Sequence, residues 1–181
     1  MVSISGYTID LVASVSDQDL GTELSFFSGL TCRIPKSDPR VNAFAHVARI
    51  GSNNNIPLAL RIIDHLVVDV ATYTYKYIDR IDPDSCTPSR AKIWLVGRSG
   101  PCDFVFHEPD AENQYRLLTQ SLATRCMLFF LFQGSRIVSV TELSPEQRNL
   151  LTTLGAIRPR LEPLLPIREL LGKKLPEANR S

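Results

Sequence analysis

Leu66-Val-Val-Asp-Val-Ala-Thr-Tyr-Thr-Tyr-Lys-Tyr-Ile78 decides the fold class. Val67, Val68, Val70, Thr72, Tyr73, Thr74, Tyr75 and Tyr77 are β-branched or aromatic, and their stiff or flat side chains suit a pleated, half-buried surface better than a helix. The segment predicts a long strand. Upstream, Pro57 can open a short helix through Ile63, after a polar loop at Ser52–Asn55. Asp38 followed by Pro39 reads as a cap and a proline at the first helical position. Val41, Phe44, Ala45 and Ala48 then give a helical stripe expected to end near Gly51. Before it, Tyr7, Ile9, Leu11, Ala13 and Val15 alternate with polar residues. Thr22 to Ile34 repeats the alternation, so Tyr7–Ser16 and Thr22–Ile34 predict an antiparallel pair with a bulge at Gly29.

Downstream, Asp82-Pro-Asp-Ser-Cys-Thr-Pro-Ser89 carries turn residues and reads as a surface loop. Lys92–Val96 and Asp103–Phe106 flank Gly97-Arg-Ser-Gly-Pro101 as a hairpin. Pro109, Asp110 and Glu112 open a helix with Ala111, Tyr115, Leu118, Leu122 and Cys126 on one face. Met127-Leu-Phe-Phe-Leu-Phe132 reads as a helix extension or a buried strand; the strand, turning at Gln133-Gly-Ser135 into Arg136–Leu143, is favoured. Ser144-Pro-Glu-Gln147 is a capping-box signature, with a stop at Gly155. Pro159, Pro163 and Pro166 then interrupt the chain, with a short helix expected at Ile167–Leu171. The sum is an α+β fold: a single domain with a mostly antiparallel sheet, helices packed on it, and a helical Pro/Leu-rich C-terminal extension. The core domain is expected over 1–143 and the extension over 144–181.

The chain has 181 residues, 44% hydrophobic and 22% charged, which suits one compact domain rather than a disordered polymer. At this size roughly 70% of the unfolded surface can be buried, so a core needs no metal or disulfide. Twenty basic against 19 acidic residues give +1, too little to act as a polyelectrolyte. The charge is uneven: residues 1–147 hold 13 basic and 16 acidic side chains, net −3, and 148–181 hold seven and three, net +4. The amino-terminal residues do not read as a secretory signal, and the longest apolar run is far short of the ~20 residues a membrane helix needs. Cys32, Cys86, Cys102 and Cys126 show no C-x-x-C spacing and read as small buried side chains. An intracellular setting is expected.

No catalytic constellation is apparent in the sequence. Cys102 and His107 sit at opposite ends of a predicted strand, roughly 16 Å apart at strand rise, so a small cysteine hydrolase is a minor alternative. His46 and His65 lie on or beside predicted helices and read as structural. Asp64, His65 and Asp69 are the nearest approach to a metal site, but neither metal nor cofactor is expected. Tyr73, Tyr75, Lys76 and Tyr77 superficially fit nucleic-acid stacking, yet Asp69, Asp79, Asp82 and Asp84 surround them. Tyr115 and Leu118, in a Tyr-x-x-Leu form, read as core contacts. The Ser52–Asn55 loop, the 82–90 loop and the basic Pro/Leu arm remain for partners, with Arg158, Arg160, Arg168, Lys173 and Lys174 as candidate contacts.

This order of elements (paired strands, two short helices, a long strand, a hairpin, then a helix from Asp110 returning through Arg136–Leu143) resembles the core of matrix proteins of negative-strand RNA viruses. The small ones of plant-infecting rhabdoviruses are the nearest comparison. The resemblance spans 4–143, and Arg116–Leu143 looks most like the family's closing helix and strand. The sequence carries no Pro-Pro-x-Tyr motif and no basic N-terminal run, and no functional residue transfers. It implies a non-enzymatic structural protein of the virion that self-associates and bridges nucleocapsid and membrane during virus assembly, in the host cytoplasm and in the virion. Homo-oligomers, the viral nucleocapsid and peripheral membrane are the implied partners. The alternative is a viral accessory protein that binds RNA, a silencing suppressor or movement-related factor.

Overall fold

The computed structural model describes residues 1–87 and 90–158. Among them the chain forms twelve strands and three helices, a mixed α and β protein in which sheet predominates. It divides into two compact units. The first comprises Met1–Thr74, Leu131–Gly134 and Leu143–Ile157; the second, among the described residues, Tyr75–Phe130, Ser135–Glu142 and Arg158.

In the first unit β1 (Val2–Ile4) turns through Ser5 and Gly6, both left-handed, onto β2 (Tyr7–Asp10). A meander follows: β3 (Val12–Gln18), β4 (Gly21–Phe26) and β5 (Thr31–Pro35), antiparallel in sequence. The expected pair is there, as Val15 opposite Leu24, but each expected strand is two: the first breaks at Leu11, and the second bends through 27–30. Gly29 serves that bend at φ 88° rather than a bulge. Helix α1 (Val41–Asn54) packs on these strands, burying Ala45, Ala48 and Gly51 against Leu24, Phe26, Cys32, Ile34 and Leu58. It runs past the expected stop to Asn54, and Gly51 serves packing instead: a Cβ there would sit 2.8 Å from Leu58 Cδ2 of β6 (Leu58–Ile63). Its N-cap is Arg40, while Asp38 accepts a 2.8 Å bond from the Arg40 amide just outside.

β6 replaces the short helix expected over Pro57–Ile63. It pairs antiparallel with β2 and with β7 (Leu66–Lys76), and Leu58, Ala59 and Leu60 are all buried. Six residues that are apolar but for Arg61 read equally as helix or strand; burial of consecutive residues between two strands settles it. β7 is the long strand expected from Leu66, ending at Lys76, and it touches β5 in parallel at Arg33–Leu66. Helix α3 (Pro145–Leu154) packs on β1. Its capping box forms as expected: Ser144 Oγ accepts from the Gln147 amide at 3.1 Å, Gln147 Oε1 accepts from the Ser144 amide at 3.0 Å, and Gly155 closes it at φ 85°.

In the second unit β8 (Ile78–Thr87) and β9 (Arg90–Leu95) are antiparallel, so the backbone expected to be a loop from Asp82 is strand to Thr87, with an irregular register after Asp82. Cross-strand pairing overrides turn propensity there. β10 (Cys102–Val105) completes the expected hairpin on β9. Helix α2 (Ala111–Thr124) packs beside β8 and buries Leu118 and Ser121. Tyr115 is not the core contact expected: it lays its ring 5.9 Å from Phe106, edge on, yet stays 44% exposed. β11 (Leu128–Gln133) is the favoured strand, with Leu128 to Phe132 all buried, which explains its lack of alternation. β12 (Arg136–Thr141) then runs parallel to β10. One face of β9, β10 and β12 buries Ala91, Ile93, Leu95, Cys102, Phe104 and Ile137; the other carries Lys92, Asp103 and Arg136 into solvent. The helix expected at Ile167–Leu171 and the Pro/Leu arm from 159 onward lie outside the described residues.

Candidate functional site

Ile63 and Leu66 face each other across the β6–β7 hairpin, so Asp64 and His65 alone make the turn. Both have positive φ, 48° and 62°. A two-residue hairpin turn of this hand favours Asn-Gly because L side chains crowd the backbone there. Two non-glycine residues held so store strain, a pattern that concentrates where a side chain must be presented. β5 holds the turn in place: the Arg33 amide donates to the His65 carbonyl at 2.8 Å, and His65 Nδ1 lies 3.4 Å from the Thr31 carbonyl.

Glu23, Thr31, Cys32, Arg33, Asp64, His65 and Leu66 line an open cleft of about 230 Å³ beside the turn. Glu23 and Arg33 are cross-strand partners on its floor. Cys32 points to the core, and burial pushes its thiol up to about 12, so it stays protonated and is a poor nucleophile at neutral pH. The cleft offers two acids, a guanidinium and an imidazole around a hydrogen-bonded rim, which is recognition chemistry. Two apolar side chains flank the turn: Ile63 is 50% and Leu66 38% exposed. Phe27, in the bend leading into Thr31, is 70% exposed and donates its amide to the Leu11 carbonyl at 3.1 Å.

A second polar cluster is structural. Tyr7 donates to Asp69 Oδ2 at 2.6 Å, Gln133 Nε2 donates to the same oxygen, and Arg40 Nη1 lies 4.0 Å from Oδ1. Arg61 opposes Asp69 across the strands. Burial first, and then Asp69, push the Tyr7 phenol up to about 12. Asp69 is thus committed to Tyr7 and Gln133. Among the described residues no group of three or more His, Cys, Asp or Glu could hold a metal ion.

The remaining sequence candidates scatter. Cys102 is buried, and burial raises its pKa. Cys126 is exposed, against the expectation of burial, because it follows the end of α2. Tyr73 spends its hydroxyl on the Pro57 carbonyl at 2.8 Å, and burial pushes it to about 12. Ser52–Asn55 is mostly the last turn of α1 rather than a free loop. Arg158 is exposed; Arg160, Arg168, Lys173 and Lys174 lie outside the described residues. Among the described residues no helix is long and apolar enough to cross a membrane. The sequence hides the hairpin turn because the segment before it suits a helix as well as a strand; two polar residues between two apolar runs are its signal. The chain matches no protein-family model, no curated protein and no solved structure.

Proposed function

We propose that this chain is a non-enzymatic structural protein of the viral-matrix kind, which self-associates and links nucleocapsid to membrane during assembly. The observation that supports the reading is the end of the first unit where Ile63 and Leu66 stand in solvent beside Arg33 and His65. Exposed apolar side chains beside a guanidinium suit a peripheral membrane contact, in which branched chains enter the headgroup region while Arg33, set among the carboxylates of Glu23 and Asp64, meets lipid phosphate. Each buried apolar side chain of this size contributes about 1.5–3 kcal/mol, so Ile63 and Leu66 together support reversible, not permanent, attachment.

Flotation of the purified chain with vesicles of mixed anionic and zwitterionic lipid, alongside light scattering for oligomers, tests it. Binding should weaken clearly in the Ile63→Ser, Leu66→Ser double variant. A strict monomer at high concentration that binds neither vesicles nor nucleocapsid overturns the reading.

A further inference from the structure

Across the open face of the second unit's sheet, with Arg80 and Arg90 on either side, runs a row of charge in strict alternation. Asp82 on β8 opposes Lys92 on β9, Lys92 opposes Asp103 on β10, and Asp103 opposes Arg136 on β12. Lys92, Asp103 and Arg136 are exposed and Asp82 is half-buried. Their neighbours in sequence, Ile81, Ala91, Ile93, Cys102, Phe104 and Ile137, point the other way or into the core, so the four charges share a face by the two-residue period of a strand. At about 4.8 Å between strands the row is roughly 14 Å long. Cross-strand pairing holds it in register.

We propose that this row is a self-association surface whose occupant is a second copy of this chain, related by a two-fold axis parallel to the strands. The inference rests on the self-associating reading above and names the face it would use. Read from β8 to β12 the signs are minus, plus, minus, plus. A two-fold axis along the strands reverses the order in the second copy. Asp82 then meets the partner's Arg136 and Lys92 meets the partner's Asp103, and symmetry repeats both contacts, so every charge faces its opposite. A row of one sign, or one symmetric about its middle, would set like against like. Such isologous matching is what a two-fold dimer requires of a single patch. Exposed ion pairs are individually weak and screened by salt, so the contact is reversible and concentration-dependent, as a protein that assembles many copies needs. Trp94, the one tryptophan of the chain, lies on the same face with the Arg80 guanidinium 4.1 Å from its ring centroid and supplies a fluorescence reporter.

Sedimentation velocity on the full chain tests the row. Arg136→Asp and Asp82→Arg should each weaken self-association on the order of tenfold or more, since one reversal spoils two symmetric contacts. The double variant Asp82→Arg, Arg136→Asp should recover it. An equimolar mixture of the two single variants should form a mixed dimer, because the reversed positions then face groups they attract. Circular dichroism checks that each variant is folded, and the mixing result is immune to a shared loss of stability. Self-association untouched by the single reversals, or a double variant and a mixture that both stay monomeric while folded, overturns this surface and leaves the structural reading standing. A wild-type chain that never associates overturns both. Association that occurs only with added RNA and ignores the charge swap also overturns it.

Discussion

Replacing Asp64-His65 by Asn-Gly should stabilise the protein and at the same time blunt its proposed binding end. Both residues occupy left-handed backbone, at φ 48° and 62°. An L side chain there costs about 1–2 kcal/mol relative to its preferred region, less for Asp, whose short side chain tolerates the conformation. Glycine at 65 removes that cost but has more freedom to lose from the unfolded chain, about 0.4–1 kcal/mol. His65→Gly therefore nets about 0.5–1 kcal/mol, less a few tenths for the exposed 3.4 Å contact of Nδ1 with the Thr31 carbonyl. Asp64→Asn adds a few tenths more. The double variant should gain about 1 kcal/mol. With a urea slope near 2 kcal/mol/M, its midpoint should rise by about 0.5 M with the slope unchanged. Backbone anchoring is unaffected, because the His65 carbonyl still accepts from Arg33. A midpoint that stays or falls would refute the assignment of strain to this turn. A gain in stability accompanied by weaker vesicle binding is the trade expected when strain serves presentation of a side chain.

Alkaline pH should weaken the fold in a defined window. The folded chain holds the Tyr7 proton to about 12 while the unfolded chain releases it near 10, so stability is full below pH 10 and is lost as pH rises towards about 12; in an ultraviolet titration Tyr7→Phe should lose a late-ionising step. Ser144→Ala should cost about 1 kcal/mol, read as a fall of roughly 2–4 °C in melting temperature, because the Gln147 amide loses its acceptor. Phe104→Ala, which empties a fully buried site packed 4.8 Å from the Phe106 ring, should cost about 3–5 kcal/mol in chemical denaturation. Gly21→Ala should disrupt the β4–β5 ladder, since its Cβ would lie 2.1 Å from the Ile34 carbonyl oxygen at φ 140°; proteolysis within 19–36 that does not increase would contradict this.

Local chemistry was legible where one residue type has one structural use. Ser144, Pro145, Gln147 and Gly155 mark α3 at both ends because each satisfies or terminates backbone groups within a single turn. The β-branched and aromatic run from Leu66 marks β7 for the same reason, and the alternation around Tyr7 and Leu24 marks a sheet. Leu58–Ile63 was not legible, since whether three consecutive apolar residues are helix or strand depends on β2 and β7 lying on either side. Asp82–Thr87 misled in the opposite direction: its turn residues are overruled by pairing with β9.

The candidate surfaces divide the same way. By itself the sequence determined composition, near-neutral charge, the helix caps and the longest strand, because these depend on residues within a turn or two of one another. Only the tertiary structure decided that Asp64 and His65 form a strained turn beside Arg33, that Ile63 and Leu66 flank it in solvent, and that Asp82, Lys92, Asp103 and Arg136 line up in one row. Those positions are separated by tens of residues along the chain, and strand register, a property of pairs of segments, is what sets them side by side.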